Sequence, residues 1–192
     1  MVPVRAGQLG ETIVTDLHGK YYENTYRRNV FSAANAAGIA TSVGLATACT
    51  GLIISNPVGS TVNVVLSRVG LSFSVAFPAA SVVGLMVGYN SAVNVTHTTP
   101  VVGKMSNYVG VGPVPVANVD AAATLPTAPV LNTVIAAGLT GLITTSVFDS
   151  SNILELEGCI ILPPGAYAAI YTSTASGALG FMGSFMWEEV PL

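Results

Sequence analysis

Charge is what this sequence lacks most. Asp, Glu, Lys and Arg make up 8% of its 192 residues, against roughly a quarter in an average soluble domain. Between Ser32 and Phe148 only Arg68, Lys104 and Asp120 are charged. A free-standing globule stays dispersed by carrying mixed charge on its surface. This stretch carries Ser, Thr, Asn, Gly, Ala and Val instead, which predicts a surface that works against other protein. The few cations and a net charge of −3 argue against nucleic acid as a partner, because phosphate binding needs clustered Lys and Arg.

Metal-binding and nucleophilic patterns are equally scarce. Cys49 and Cys159 lie far apart with no Cys or His companion, so neither a disulfide framework nor a metal knuckle is implied. Both are read as buried small hydrophobes. His18 and His97 stand in no motif, and no nucleophile elbow, P-loop, H-E-x-x-H or calcium loop occurs. Gly177, Gly180 and Gly183 form G-x-x-G-x-x-G, which has neither the spacing nor the strand-to-helix context of a phosphate-binding loop. Asn94-Val95-Thr96 matches a glycosylation acceptor, read as accidental because no secretory leader opens the sequence. No cofactor and no metal are expected, and synthesis is expected in a cytoplasm.

Hydrophobic residues are abundant, at 51% with a mean hydropathy of +0.66, so a membrane span must be weighed. The best candidate, Val69–Tyr89, is broken by Ser72, Ser74, Pro78, Ser81, Gly84 and Gly88. It alternates instead of running solidly apolar for the ~20 residues a spanning helix needs. No membrane partner is expected.

What is present reads as β structure. Val69, Leu71, Phe73, Val75 and Phe77 share one face, with Gly70, Ser72, Ser74 and Ala76 on the other, in strict period two. Further strands are predicted at Leu52–Ile54, Val62–Val65, Val82–Tyr89 and Tyr108–Val116, the last with Pro113 and Pro115 marking an edge. Asp120–Pro129 reads as a loop. Val130–Thr145 is apolar, with a weak helical alternative over Leu131–Ala137. Ile153–Leu162, Ala166–Thr172 and Leu179–Trp187, separated by Pro163-Pro164-Gly165 and Ser173–Gly177, predict three strands in meander order. The expected fold is all-β, a β-sandwich or jelly roll over residues 32–192, preceded by an extended N-terminal arm, 1–31.

The charges collect at the two ends. Residues 1–31 hold Arg5, Glu11, Asp16, Lys20, Glu23, Arg27 and Arg28, and residues 149–192 hold Asp149, Glu155, Glu157, Glu188 and Glu189. Tyr21, Tyr22 and Tyr26 lie among the arm's charges. A helix pairs Tyr22 with Tyr26 and Glu23 with Arg27, whereas a strand splits them between two faces, and the spacing leaves both open. The asymmetry predicts that Arg27 and Arg28 dock on acidic groups of a neighbouring chain, with Glu188 and Glu189 the first candidates. Tyr21, Tyr22, Tyr26 and Trp187 would supply contact area. Trp187 also reads as a cap on the core. Glu155 and Glu157 would share one strand face, as solvated carboxylates more readily than as an acid–base pair.

Taken in order, Gly10-Glu11, Leu17–Glu23, Tyr26–Asn29, Ser55-Asn56-Pro57, Leu162–Gly165 and the ending Trp187–Pro191 carry a resemblance. The chain resembles a broad group of uncharacterised proteins encoded in tailed-phage and environmental viral sequence. The resemblance implies a virion structural component, a capsid decoration or cement protein or part of a fibre or tail, with no catalytic residues to carry over. It is expected to be made in the host cytoplasm and to reside in the virion. Its expected partners are copies of itself, with a trimer the first guess, and the major capsid protein or another virion protein. A competing reading is a carbohydrate- or receptor-binding module with its polar loop Ser91–Thr99 at one end, although Tyr89 and Tyr108 are the nearest aromatics. An enzyme acting through Glu155 and Glu157 ranks last.

Overall fold

The computed structural model describes residues 19–75, 77–138, 152–177 and 179–192. Expectations for His18 and the rest of 1–18, for Ala76 and for 139–151 lie outside them. Among the described residues one short helix, α1 (Tyr22–Tyr26), precedes eleven strands. They are β1 (Val30–Ala34), β2 (Ala48–Ser55), β3 (Val62–Phe73), β4 (Ser81–Tyr89), β5 (Thr96–Pro100) and β6 (Met105–Ser106), then β7 (Asn118–Thr124), β8 (Val130–Gly138), β9 (Asn152–Leu162), β10 (Ala166–Thr172) and β11 (Phe181–Pro191).

The strands form two antiparallel sheets, ordered β6-β1-β11-β3-β9 and β5-β7-β2-β10-β4-β8. Five of the pairings are β1 with β11, β2 with β10, β3 with β9, β4 with β8, and β5 with β7. The chain is thus doubled back into one long antiparallel ribbon whose turning point lies near β6. Rolling that ribbon places β1–β11 and β3–β9 in one sheet and β2–β10 and β4–β8 in the other, which is a jelly roll. The expected sandwich is present.

The core lies between the sheets. Phe31, Leu52, Ile54, Leu66, Val69, Phe73, Phe185 and Trp187 are buried in it. In β3 the inward set is Val64 and Leu66, then Val69, Leu71 and Phe73. The phase changes at Ser67, an extra residue against β11, where the pairing with β9 also shifts, from Leu66 opposite Ile160 to Arg68 opposite Glu155. A bulge of this kind is what lets one long strand keep an apolar face inward after a slip that would otherwise turn it out. The strand ends at Phe73, so Val75 is exposed, while Phe77 returns to the core against Phe73, ring centroids 4.8 Å apart.

Four sequence expectations change. Asp120–Pro129 does not form a loop throughout, because β7 takes in Asn118–Thr124 and pairs with both β2 and β5. Its alanines have little strand preference of their own, and the two flanking strands override it. Leu131–Ala137 is in β8, not a helix, paired with β4. No strand forms over Tyr108–Val116, where Pro113 and Pro115 remove the donors a ladder needs. Finally, β9, β10 and β11 are no meander: β9 and β11 flank β3 in one sheet and β10 lies in the other. Pro163-Pro164-Gly165 turns the corner between sheets. Gly165 holds φ 88°, and a Cβ there would strike the Asn90 carbonyl oxygen, so this corner requires glycine.

The described part of the arm is not extended. After α1 the chain enters β1 at Val30, and Val30 and Phe31, counted with the arm in the sequence, are buried core residues.

Candidate assembly surface

The turning point of the ribbon, residues 101–117, is built inside out. Ser106 Oγ accepts the Tyr108 N–H at 3.2 Å, Ser32 Oγ donates to Asn107 Oδ1, and the Asn107 N–H donates to the Val30 carbonyl at 2.9 Å. Lys104 Nζ donates to the Ala117 carbonyl at 2.7 Å and to Asn118 Oδ1 at 3.1 Å. Burial pushes the Lys104 ammonium below its ordinary value, with Glu189 and Asp120 opposing. Glu189 is buried and closes the far end. Its carboxylate accepts the Val116 and Ala117 N–H groups at 3.0 and 2.9 Å and the Trp187 Nε1–H at 3.2 Å.

With its polar groups drawn inward, this connection presents its apolar side chains to the outside. Val102 is 92% exposed, Val114 82% and Val109 75%, and Met105, Val111 and Val116 are exposed as well. A concentration of large exposed hydrophobics in one short connection is a mark of an interaction surface, since single scattered ones are ordinary. The sequence reading missed these residues as site residues. Their signal was there in valines set among Gly and Pro without charge, but it was read as a strand.

The arm joins this surface. The Tyr26 ring stacks on Tyr22, centroids 6.0 Å apart with planes 8° from parallel, and meets Tyr108 edge-on at 6.1 Å. The Arg28 guanidinium lies 5.7 Å from the Tyr108 ring centre, a cation–π distance, and Arg28 has φ 65°, a left-handed conformation that costs a non-glycine residue energy.

The remaining expected interface residues sit elsewhere. Tyr21 Oη donates to Glu155 Oε2 at 3.2 Å. Arg27 is exposed beside Glu23 at 3.9 Å, one helical turn away. Trp187 is fully buried and stacks on Phe31 at 6.0 Å, so it is core and not surface. Glu188 accepts from Asn24 Nδ2 at 2.9 Å, and burial pushes its carboxyl above the ordinary value, with that hydrogen bond opposing. Within the chain, then, Glu188 and Glu189 are engaged by Asn24 and by backbone and indole N–H groups, not by Arg27 or Arg28. An acceptor role for Glu189 toward a neighbour is ruled out by its burial and its three donors.

Glu155 and Glu157 project from β9, an edge strand, and both are exposed. Arg68 grips Glu155 at 2.6 Å and, as the leading cause, holds its carboxyl below the ordinary value. Lys20 pairs with Glu157 at 2.5 Å. Glu157 at φ 52° and Gly158 at φ 83° kink this edge. A carboxylate held ionised by an arginine is a poor general acid. Cys159 is exposed, contrary to the buried reading. Cys49 is buried, and burial pushes its thiol up to about 11. Among the described residues no group of three or more His, Cys, Asp or Glu is placed to hold a metal. No described helix is long and apolar enough to cross a membrane.

No protein-family model, curated protein or solved structure matches this chain.

Proposed function

We propose that this chain is a non-enzymatic virion structural protein, a capsid decoration or cement subunit, that assembles with copies of itself through residues 101–117. The observation that carries this reading is the inversion at the ribbon's turning point, where Glu189, Lys104, Ser106 and Asn107 are engaged inside the chain and Val102, Val109 and Val114 face out. Interface cores are depleted in charge and enriched in aromatic residues and Met. Tyr26, Tyr108 and Met105 supply those residues here, and Arg28, over the Tyr108 ring, is the charge beside them.

Jelly rolls build viral capsids and also lectins, and a fold does not name a function. The virion assignment is therefore supported by the charge-poor surface together with the resemblance carried by Ser55-Asn56-Pro57, Leu162–Gly165 and Trp187–Pro191. A trimer is the expected copy number. Mass spectrometry of gradient-purified particles of a virus encoding this chain is expected to find it in fixed ratio to the major capsid protein. Its absence from particles, with the chain abundant in the infected cells, overturns the assignment.

A further inference from the structure

Bordering the turning point, on the side of the six-stranded sheet, lies a small recessed pocket of about 190 Å³. Its walls come from the end of β2 (Ser55, with Asn56 beyond it), from Asn94 and Val95 ahead of β5, from His97 in β5 and from Asn118 in β7. The walls are fastened to one another. Asn94 Oδ1 accepts the Val58 N–H at 2.6 Å, and the Gly165 N–H donates to the Asn56 carbonyl at 2.8 Å.

The hydrogen-bond network fixes what each side chain has left to offer. Asn56 is 2% exposed, and its Nδ2 donates to the Val62 and Leu162 carbonyls at 2.8 and 2.9 Å. That sets the amide and leaves Oδ1 buried without a partner, a costly state for a polar atom. Asp120, fully buried behind His97, takes the Nδ1 side of that ring at 2.7 Å on its Oδ2. In the neutral ring this places the proton on Nδ1 and leaves Nε2 an acceptor. Asn118 Oδ1 is taken by Lys104, and Asn94 Oδ1 by Val58, so each keeps its amide N–H groups as donors. The Ser55 hydroxyl, which can donate and accept, has no partner among the described residues.

We propose that this pocket binds a single neutral sugar ring. Its spare capacity toward a ligand is one acceptor at His97 Nε2, two amide donors and a hydroxyl, with Asn56 Oδ1 enclosed beneath them, a mixture that suits a ligand whose every polar group both donates and accepts, as a sugar hydroxyl does. A free anion would face no uncommitted cation, because the Lys104 amine is held by Ala117 and Asn118, and the buried Asp120 carboxylate lies just behind. A metal cation would find only one imidazole nitrogen and one hydroxyl, since Asn56 Oδ1 is enclosed and the Asn94 and Asn118 oxygens already accept hydrogen bonds. A purely apolar ligand would strand the polar groups without hydrogen bonds. The volume equals that of about six waters at ~30 Å³ each, room for one ring and not a threaded chain. Val95 and Pro57 supply the apolar wall that a ring's C–H face needs, so recognition here does not depend on the aromatic stacking that the surrounding loops lack. The inference is independent of the assembly reading.

Saturation-transfer NMR of the full chain with D-glucose, D-galactose, D-mannose and N-acetyl-D-glucosamine, each at millimolar concentration, tests it, with amide shift mapping in the same samples. At least one neutral sugar should transfer saturation and move the amide signals of Ser55, Asn56, His97 and Asn118. Ser55→Ala and His97→Gln, the latter keeping a donor for Asp120, should each weaken that binding about tenfold, the loss of one good hydrogen bond. The proposal is overturned if none of the four sugars binds, if the shifts map elsewhere, or if binding survives both substitutions. Should a variant not fold, the shift map of the parent chain still decides.

Discussion

Two outer surfaces of the same sandwich solve the problem of facing water in opposite ways. Along the β9 edge, Lys20, Tyr21, Arg68, Glu155 and Glu157 put charge outward in pairs, and the Glu157–Gly158 kink breaks the edge. These are the devices by which edges avoid pairing with other chains. At the turning point, residues 101–117 spend their polar groups internally and put valine outward. The contrast lies in direction more than composition: Lys104 and Glu189 are as charged as Arg68 and Glu155, but they point inward. One surface carries paired charge outward and the other carries apolar side chains outward.

The comparison breaks most readily at Glu189. Glu189→Ala strands the Val116, Ala117 and Trp187 N–H donors in a buried place. It should cost on the order of 2–4 kcal/mol by chemical denaturation, as losing hydrogen bonds to a charged group does. It should also lower the assembled mass, because the valines lose their scaffold. Unchanged stability would mean that the turning point is not held from within.

Next in size is an effect on assembly with little effect on folding. Val109→Asp combined with Val114→Asp puts charge on exposed side chains and should change the unfolding free energy of the monomer by no more than about 0.5 kcal/mol, as surface changes do. A large loss of stability would show that these valines pack within their own chain.

The β9 edge should tolerate change. Glu155→Gln removes the partner of Arg68 at a solvent-exposed pair, a kind that contributes little, and should shift neither the melting temperature nor the assembled mass. A fall in assembled mass would place the interface on the wrong surface. The smallest effect expected is chemical. Iodoacetamide at neutral pH should label the exposed Cys159 and leave Cys49 unmodified, since a thiol raised to about 11 carries almost no thiolate. Rapid double labelling of the folded chain would contradict the burial of Cys49.

Much of this was legible in the residues because it depended on local period. Ala166–Thr172 was read with its observed bounds, and Ile153–Leu162 and Val82–Tyr89 to within a residue. Alternation of apolar and small residues also placed Val69, Leu71 and Phe73 inside. What was not legible depends on partners far along the chain. The alanines of β7 become a strand because β2 and β5 flank them. The phase change at Ser67 exists because β9 and β11 slip there together. The inward turn of Glu189 was equally hidden, since its donors at Val116 and Ala117 are 73 and 72 residues away. In the sequence it read as a terminal surface charge beside Glu188, and only the rolled ribbon brings it under the valines. The Asp120–His97 pair was missed for the same reason, with Asp120 assigned to a loop.

The central claim is that the outward valines of residues 101–117 are an interface between copies of this chain. Static light scattering of the parent and of the Val109→Asp, Val114→Asp variant, at equal micromolar concentration, tests it most directly. The account predicts a parent mass that is a multiple of 19.5 kDa and a variant mass equal to a single chain, with the same β-sheet circular dichroism. A parent that scatters as one chain, or a folded variant that keeps the parent's assembled mass, contradicts it.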